Sequence, residues 1–512
     1  MTDFKIAIER INSLQTNASL LEKLRKAGPR ANELSLPEMR DYFKRIGYEV
    51  KTFDKLNVIH VTGTKGKGST SAITQSILRN CSDEKPIRTG LFTSPHLISV
   101  RERIRINGEP VSEELFAKYS NEVWDRLEST KEEALIKAGL SEKDLKASLR
   151  DQRQHPDKPI YFRYLTLVAF HTFIQEKVDV AILEVGVGGE YDSTNVVERP
   201  VVCGITALGL DHVGVLGHTI DKIAWHKAGI IKNHVPAIAF EQLPEAMQVI
   251  EERAKEKEAP LQVLHARDID ALKDVEIGLA GVHQKYNALT AIALCKIWLK
   301  HCRQIELTET VPAGFRKGLA NVKWPGRGQQ LCATETKYAS QIPNPRDVTW
   351  YLDGAHTLES LQVCVDWFRQ VAKDKKDIKD VSRILVFNTS NGRDGPNLLQ
   401  VISKIQSFVG FDHVIFTTNM TYREGDSADN TNYTVSMADV LSMQALLAES
   451  WVKQVPSFNA ENVHVVGSLE EATEWIVDYA KSAPETKKVQ ILATGSLIMV
   501  GNTLTVLGIT PQ

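Results

Sequence analysis

The stretch His60 to Thr70, H-V-T-G-T-K-G-K-G-S-T, decides the reading of the chain. A short apolar run (Leu56, Val58, Ile59) precedes it, and a helix-like one (Ala72, Ile73, Ile77, Leu78) follows. The stretch is therefore a turn between a buried strand and a helix. Gly63, Gly66 and Gly68 let the backbone around Thr64 take positive φ and turn its N–H groups toward one anion. Lys67 adds a point positive charge. Ser69 and Thr70 open the helix, whose N-terminus carries unpaired N–H groups and partial positive charge. Such a turn suits a phosphate, and a hydroxyl at Ser69 or Thr70 can ligate Mg²⁺. The general pattern G-x-x-x-x-G-K-[ST] fits imperfectly, since Val61 stands at the first glycine and Gly68 separates Lys67 from Ser69. On the loop alone, a glycine-rich turn with a solvated lysine is the alternative.

The 512 residues exceed one ordinary core, so two or three domains are expected. Hydrophobic content of 42% and charged content of 25% belong to a globular chain. A net charge of −2 gives no hint of a nucleic-acid or membrane-surface partner. The six cysteines form no C-x-x-C pair and several sit in apolar runs, as reduced thiols do. No apolar run reaches the roughly 18 residues that span a bilayer. The first residues, with Asp3, Glu9 and an apolar helix face, resemble neither a signal nor a transit peptide. A cytoplasmic monomer without nucleic acid or membrane insertion is expected, with room for a mitochondrial form carrying an extension.

Helices are expected at the start, over Phe4 to Leu14 and from Leu36 to Tyr48. A strand follows at Thr89 to Ser94. Arg101, Arg103 and Arg105 alternate with apolar residues, which predicts an extended segment with three guanidiniums on one side, or a solvated edge strand. Residues 113–158 read as charged helix, the later part a surface extension. Buried strands end at Glu184 before Gly186, Gly188 and Gly189, and at Leu208 before Asp211-His212. Strands alternating with helices make a parallel sheet, and functional groups belong at the strands' carboxyl ends. The phosphate loop, Ser94, Glu184 and His212 each follow such a strand. Trp324-Pro325-Gly326-Arg327-Gly328 reads as a linker. The prediction is a P-loop-type, mostly parallel α/β domain over 1–323, a linker at 324–328, and a smaller Rossmann-like α/β domain over 329–512. Its strands are expected near 348–352, 384–388, 413–418, 463–466 and 489–493, with a polar loop over Arg423 to Ser436.

Several side chains stand out. Glu184 ends an aliphatic strand, where a carboxylate needs a metal, a lysine or a helix to cap. His212, in a loop, suits a divalent ion or a structural hydrogen bond. A His, a carboxylate and a hydroxyl make an oxygen-rich site closer to Mg²⁺ than to zinc. Lys227, on a helix, reads by spacing as an ordinary lysine. Asp353, before Gly354 and His356, suits a ribose or cation contact, or a cap for the following helix.

Seven segments keep one order over most of the chain: 60–70, L-F-T-S-P-H-L-I-S-V-R-E-R-I-R-I-N-G (91–108), L-E-V-G-V-G-G-E-Y-D-S-T-N (183–195), L-G-L-D-H (208–212), H-K-A-G-I-I-K (226–232), W-P-G-R (324–327) and Y-L-D-G-A-H-T (351–357). Together they resemble the folylpolyglutamate synthases of the Mur ligase superfamily, whose loop has the form G-T-[NK]-G-K-G-S. The resemblance implies ATP-dependent ligation of L-glutamate to the γ-carboxylate of a reduced folate through an acyl phosphate. It implies that Lys67 holds the β- and γ-phosphates, and that Ser69 and Glu184 help bind one Mg²⁺. Ser94, Glu184 and His212 would ligate a second, and Lys227 would be carbamylated beside it. Asn287, Arg327 and Asp353 look like nucleotide contacts. His356 and Ser496 resemble residues near the incoming glutamate, and Arg103 lies in the loop near the folate. A monovalent cation, K⁺, is implied as well. Thr357 after D-G-A-H and the R-E-R-I-R-I-N-G loop lean toward polyglutamylation alone. The competing readings are a ligase that also accepts dihydropteroate, and a nucleotide-binding protein of the same fold without catalysis.

Overall fold

The computed structural model describes residues 2–15, 34–81, 85–137, 139, 157–373, 380–389, 393–424, 441–484 and 486–510. It divides into two compact units. One comprises Met1–Pro95, Arg101–Gly278 and Val282–Lys323; the other comprises His96–Val100, Leu279–Gly281 and Trp324–Gln512.

The first unit is built on eight strands: β1 (Ile59–Thr62), β2 (Thr89–Phe92), β3 (Ile104–Ile106), β4 (Glu109–Pro110), β5 (Val180–Glu184), β6 (Val202–Ile205), β7 (Ala237–Phe240) and β8 (Leu261–Leu264). Their order is β4-β3-β2-β5-β1-β6-β7-β8. The six from β2 to β8 pair in parallel, and β3 and β4 extend the edge as antiparallel strands. The central strands are continuous apolar runs because both faces are covered: β5, V-A-I-L-E, is buried at every position. The chain leaves β1, passes β5's place to form β2, and later returns to fill the gap. The loops after β5, β1 and β6 therefore leave neighbouring carboxyl ends, at a point where strand order reverses. Register places Val61 opposite Glu184, so the phosphate loop, which begins at Gly63, starts two residues beyond the level of that carboxylate.

Helices run where the apolar period predicts: α1 (Asp3–Asn12), α2 (Ser35–Arg45), α3 (Lys67–Asn80), α4 (Glu113–Ser129), α5 (Tyr161–Gln175), α6 (Ile220–Ala228), α7 (Pro244–Glu256) and α8 (Val282–Arg303). Asp3–Asn12 is capped by Thr2, and Glu113–Ser129 by Ser112, each side chain accepting a first-turn N–H. Of the charged extension, residues 138 and 140–156 lie outside the described residues.

The second unit has six strands: β9 (Gln329–Cys332), β10 (Val348–Asp353), β11 (Val381–Phe387), β12 (His413–Thr417), β13 (Val463–Val466) and β14 (Lys488–Thr494), ordered β13-β12-β11-β14-β10-β9. All neighbours are parallel except the β9–β10 pair, an edge strand absent from the sequence reading. Alternation splits each strand between two cores. Trp350, Leu352, Ile384 and Val386 face one side with α10 (Leu469–Ser482) and α11 (Leu497–Val506). Tyr351, Leu385 and Phe387 face the other with α9 (Leu358–Ala372). The polar loop expected over Arg423 to Ser436 lies outside the described residues beyond Glu424.

The basic stretch departs from expectation. Val100–Arg103 is a 3₁₀ turn, so the three guanidiniums do not share a side. Arg105 is buried and donates to the carbonyls of Glu102 (3.2 Å) and Gly108 (3.2 Å), while Arg101 donates to Val111 O (2.8 Å). Arg103 remains half-buried, its guanidinium over the Tyr161 ring at 5.6 Å.

Candidate active site

The phosphate loop is shaped by contacts that exclude side chains. Gly63 has φ +152°, and a Cβ there would stand 1.9 Å from Thr206 Oγ1. Gly66 has φ +87°, and its Cβ would stand 2.3 Å from Asn287 Oδ1. The loop after β6 clamps it from the side. Thr64 N and Lys65 N donate to Ala207 O at 2.9 and 3.0 Å, Thr206 Oγ1 donates to Lys65 O (2.6 Å), and Thr64 Oγ1 lies 3.0 Å from Gly209 O. Lys65 and Asp211 pair across the same seam at 3.8 Å.

Two lysines converge on one acceptor. Lys67 Nζ donates to Gly63 O at 3.0 Å, and Lys227 Nζ, reaching in from α6, donates to the same oxygen at 2.8 Å. Lys227 is buried; burial first, and then the charge of Lys67, bring its ammonium down to about 7. The amine is thus about half neutral at physiological pH, which spacing along the helix did not reveal.

Glu184 is buried at the end of β5, and its Oε2 accepts the backbone N–H of Ser94 at 3.0 Å. That bond brings together the ends of β5 and β2. His212 takes a left-handed conformation (φ 50°) at the start of the short helix Val213–Leu216, exposed, with its N–H 2.9 Å from Asp211 Oδ1. Among the described residues, no three His, Cys, Asp or Glu side chains gather as a metal cluster.

Two residues that sequence reading passed over support this site. Gln284, buried on α8, donates to Ser69 Oγ (3.4 Å) and accepts from Asn287 Nδ2 (2.9 Å). Its signal was the three-residue spacing to Asn287, which puts both on one helix face. Asp192, within the quoted G-G-E-Y-D-S-T-N, accepts from Gly186 N and Val187 N (both 3.1 Å), Thr194 N (3.0 Å) and Thr194 Oγ1 (2.6 Å).

A nucleotide phosphate and Mg²⁺ fit what is present. α3 begins at Gly66 with no side-chain cap on its first N–H groups. Thr70 Oγ1, in its first turn, is buried without a hydrogen-bond partner among the described residues. Uncapped donors beside a cradle too tight for a Cβ suit an anion.

The second unit carries its own polar cluster. Asp353 accepts from Gly328 N (2.8 Å) and Ala355 N (2.9 Å); burial raises its carboxyl above the usual range, against the pull of Arg327. It does not cap α9, a place taken by Thr357. The Arg327 guanidinium lies where a Cβ on Gly354 would approach Nη1 to 2.7 Å. His356 Nδ1 lies 2.8 Å from Gly354 O, so the neutral ring carries its proton there. Arg393, also unassigned from sequence, donates to His356 O. Ser496 is buried and caps α11 by accepting Met499 N (3.5 Å).

Folylpolyglutamate synthase of Neurospora crassa is 44% identical over 98% of this chain and 90% of its own length. The chain belongs to the folylpolyglutamate synthase family. The Saccharomyces cerevisiae S288c member of the family is 42% identical over 98% of the chain and 86% of its own length. No protein-family model matches the chain. Among solved structures, Mycobacterium tuberculosis folylpolyglutamate synthase complexed with ADP matches with a TM-score of 0.69 at 24% identity, over 98% of this chain and 100% of that one. The two mostly parallel sheets described above are thus the fold of the family.

Proposed function

We propose that the protein ligates L-glutamate to the γ-carboxylate of reduced folates and their polyglutamates, converting ATP to ADP and phosphate. The observation that carries this reading is the convergence of Lys67 and Lys227 on Gly63 O, beside an uncapped helix N-terminus and the buried Glu184. A carboxylate is a poor electrophile; a γ-phosphoryl group moved onto it leaves as phosphate when the amine of glutamate attacks. That transfer needs positioning and charge stabilisation more than covalent help.

Gly63, Thr64, Gly66, Gly68 and Thr70 cradle the phosphates. Lys67 turns from Gly63 O to the β- and γ-oxygens, while Asn287 holds the rest of the nucleotide. Ser69, Ser94, Glu184 and His212 would hold Mg²⁺, which supplies neutralisation of phosphoryl charge when bound. The neutral amine of Lys227 attacks CO₂, loses a proton to solvent, and leaves a carbamate anion. The buried lysine thereby becomes an oxygen donor. His356, Ser496 and Arg393 serve the incoming glutamate, and Arg103 the folate. K⁺ is the monovalent cation of this reading. The compartment we assign is the cytoplasm, which suits six free cysteines. Among the described residues, no helix is long and apolar enough to cross a membrane.

The test is incorporation of labelled L-glutamate into tetrahydrofolate with Mg-ATP, with dihydropteroate in parallel. Incorporation with the folate alone is expected. Incorporation with both would make the enzyme bifunctional. ATP binding without folate-dependent phosphate release would leave a non-catalytic nucleotide-binding protein.

A further inference from the structure

The loop between β5 and β6 touches both sides of the proposed metal site, and one carboxylate organises it. Asp192 Oδ2 accepts the N–H groups of Gly186 and Val187, the second and third residues after Glu184. Its Oδ1 accepts the N–H and the hydroxyl of Thr194. All four partners are donors, so the side chain must present oxygen on both edges. The Thr194 hydroxyl spends its proton on Asp192 and hence accepts from His60 Nε2 at 2.9 Å, which places the ring proton on Nε2. His60 is fully buried in β1, the strand that feeds the phosphate loop. Thr62, on the same strand, donates to Gly188 O at 2.7 Å.

The far side of the loop is tied to α6. Glu190 N donates to His226 O (2.7 Å), and Asn195 Nδ2 donates to Glu190 O (3.0 Å) and Gly229 O (3.1 Å). Gly189 packs so closely that a Cβ would stand 2.7 Å from His226 O and 2.9 Å from Lys227 O. The turn that begins at Glu184 and the helix end that carries Lys227 thus share one short loop.

We propose that Asp192, held by Thr194 and His60, is the positioning residue that sets Glu184 and Lys227 relative to one another. This rests on the reading of those two residues as the metal-binding pair. Asp192 touches no reacting group; it acts through the loop. An Asn at this position would turn an NH₂ toward two N–H or O–H donors, breaking half of the set while keeping volume.

The test is Asp192→Asn, with Thr194→Val as a second variant that keeps the carboxylate and removes the hydroxyl, and Thr194→Ser as the conservative rescue. Mn²⁺ binding to the AMPPCP-loaded protein, followed by electron paramagnetic resonance without folate, reads the site apart from turnover. Asp192→Asn should raise the Mn²⁺ midpoint about tenfold or more and lower kcat by a similar factor, with a smaller change in KM for ATP. Thr194→Val should move the midpoint in the same direction and Thr194→Ser should restore it. A lowered melting temperature with wild-type midpoint and kcat in both Asp192→Asn and Thr194→Val would reduce the loop to a structural role and overturn the proposal. If Asp192→Asn does not fold, Thr194→Val alone decides in the same way. A wild-type protein with no Mn²⁺ midpoint beyond that of free AMPPCP would instead remove the metal reading, and this proposal with it.

Discussion

At the scale of single residues, environment separates a chemical group from an ordinary one. Lys227 is the clearest case, since burial and the neighbouring Lys67 hold its pKa near 7 and its Nζ reaches Gly63 O. Lys227→Ala should therefore cost at least about a hundredfold in kcat, on the order of 3 kcal/mol of barrier. A short carboxylic acid added to the variant should restore part of the rate by standing in for the carbamate. A variant with wild-type rate, in steady-state assays of phosphate release, would remove Lys227 from the mechanism. Sequence spacing assigned this residue nothing and the family resemblance proposed a carbamate; its burial and lowered pKa support that proposal. Arg101 and Arg105 went the other way, their guanidiniums consumed by backbone carbonyls.

At the scale of elements, β1 and the turn after it carry two expectations. Gly66 combines φ +87° with Asn287 Oδ1 standing 2.3 Å from where a Cβ would lie, so Gly66→Ala brings left-handed strain of about 1–2 kcal/mol as well as a clash. ADP affinity, measured by calorimetric titration, should fall about tenfold or more while the far-UV spectrum is unchanged; undiminished affinity would deny the loop its phosphate. His60 sets a pH dependence. Burial pushes its pKa down to about 3, so the folded state holds the ring neutral while the unfolded chain protonates near 6.5. The unfolded state then binds the extra proton, and stability is present in full above pH 6.5 and lost as pH falls toward 3. Urea melts should show a loss from this group of up to about 1.4 kcal/mol per pH unit across that window. His60→Gln should flatten that limb, and an identical acid limb in the variant would place the titration elsewhere.

At the scale of the whole molecule, ligand linkage gives the simplest check. A ligand that binds the native state at about a hundredfold excess over its Kd adds about 2.7 kcal/mol of stability. ADP at that excess should raise the calorimetric melting temperature, and more so with Mg²⁺. No shift with either would contradict a nucleotide site in the folded chain. The layout of the two sheets was largely legible, because buried parallel strands are continuous apolar runs and the helices between them keep a 3.6-residue period. Strands β8 and β9 were not. Leu261–Leu264 is short and half-exposed, and Gln329–Cys332 is a polar edge strand that follows a glycine-rich turn; neither carries an apolar run.

By itself the sequence determined the fold class, the strand-to-helix turn at 60–70, and the family, because these depend on local period, glycine placement and ordered motifs. Only the tertiary structure decided which side chains meet. That Lys67 and Lys227 share one carbonyl, that Gln284 reaches Ser69, and that His60 meets Thr194 all join residues from different elements. Contacts of that kind arise from strand order and helix packing, which no local spacing encodes.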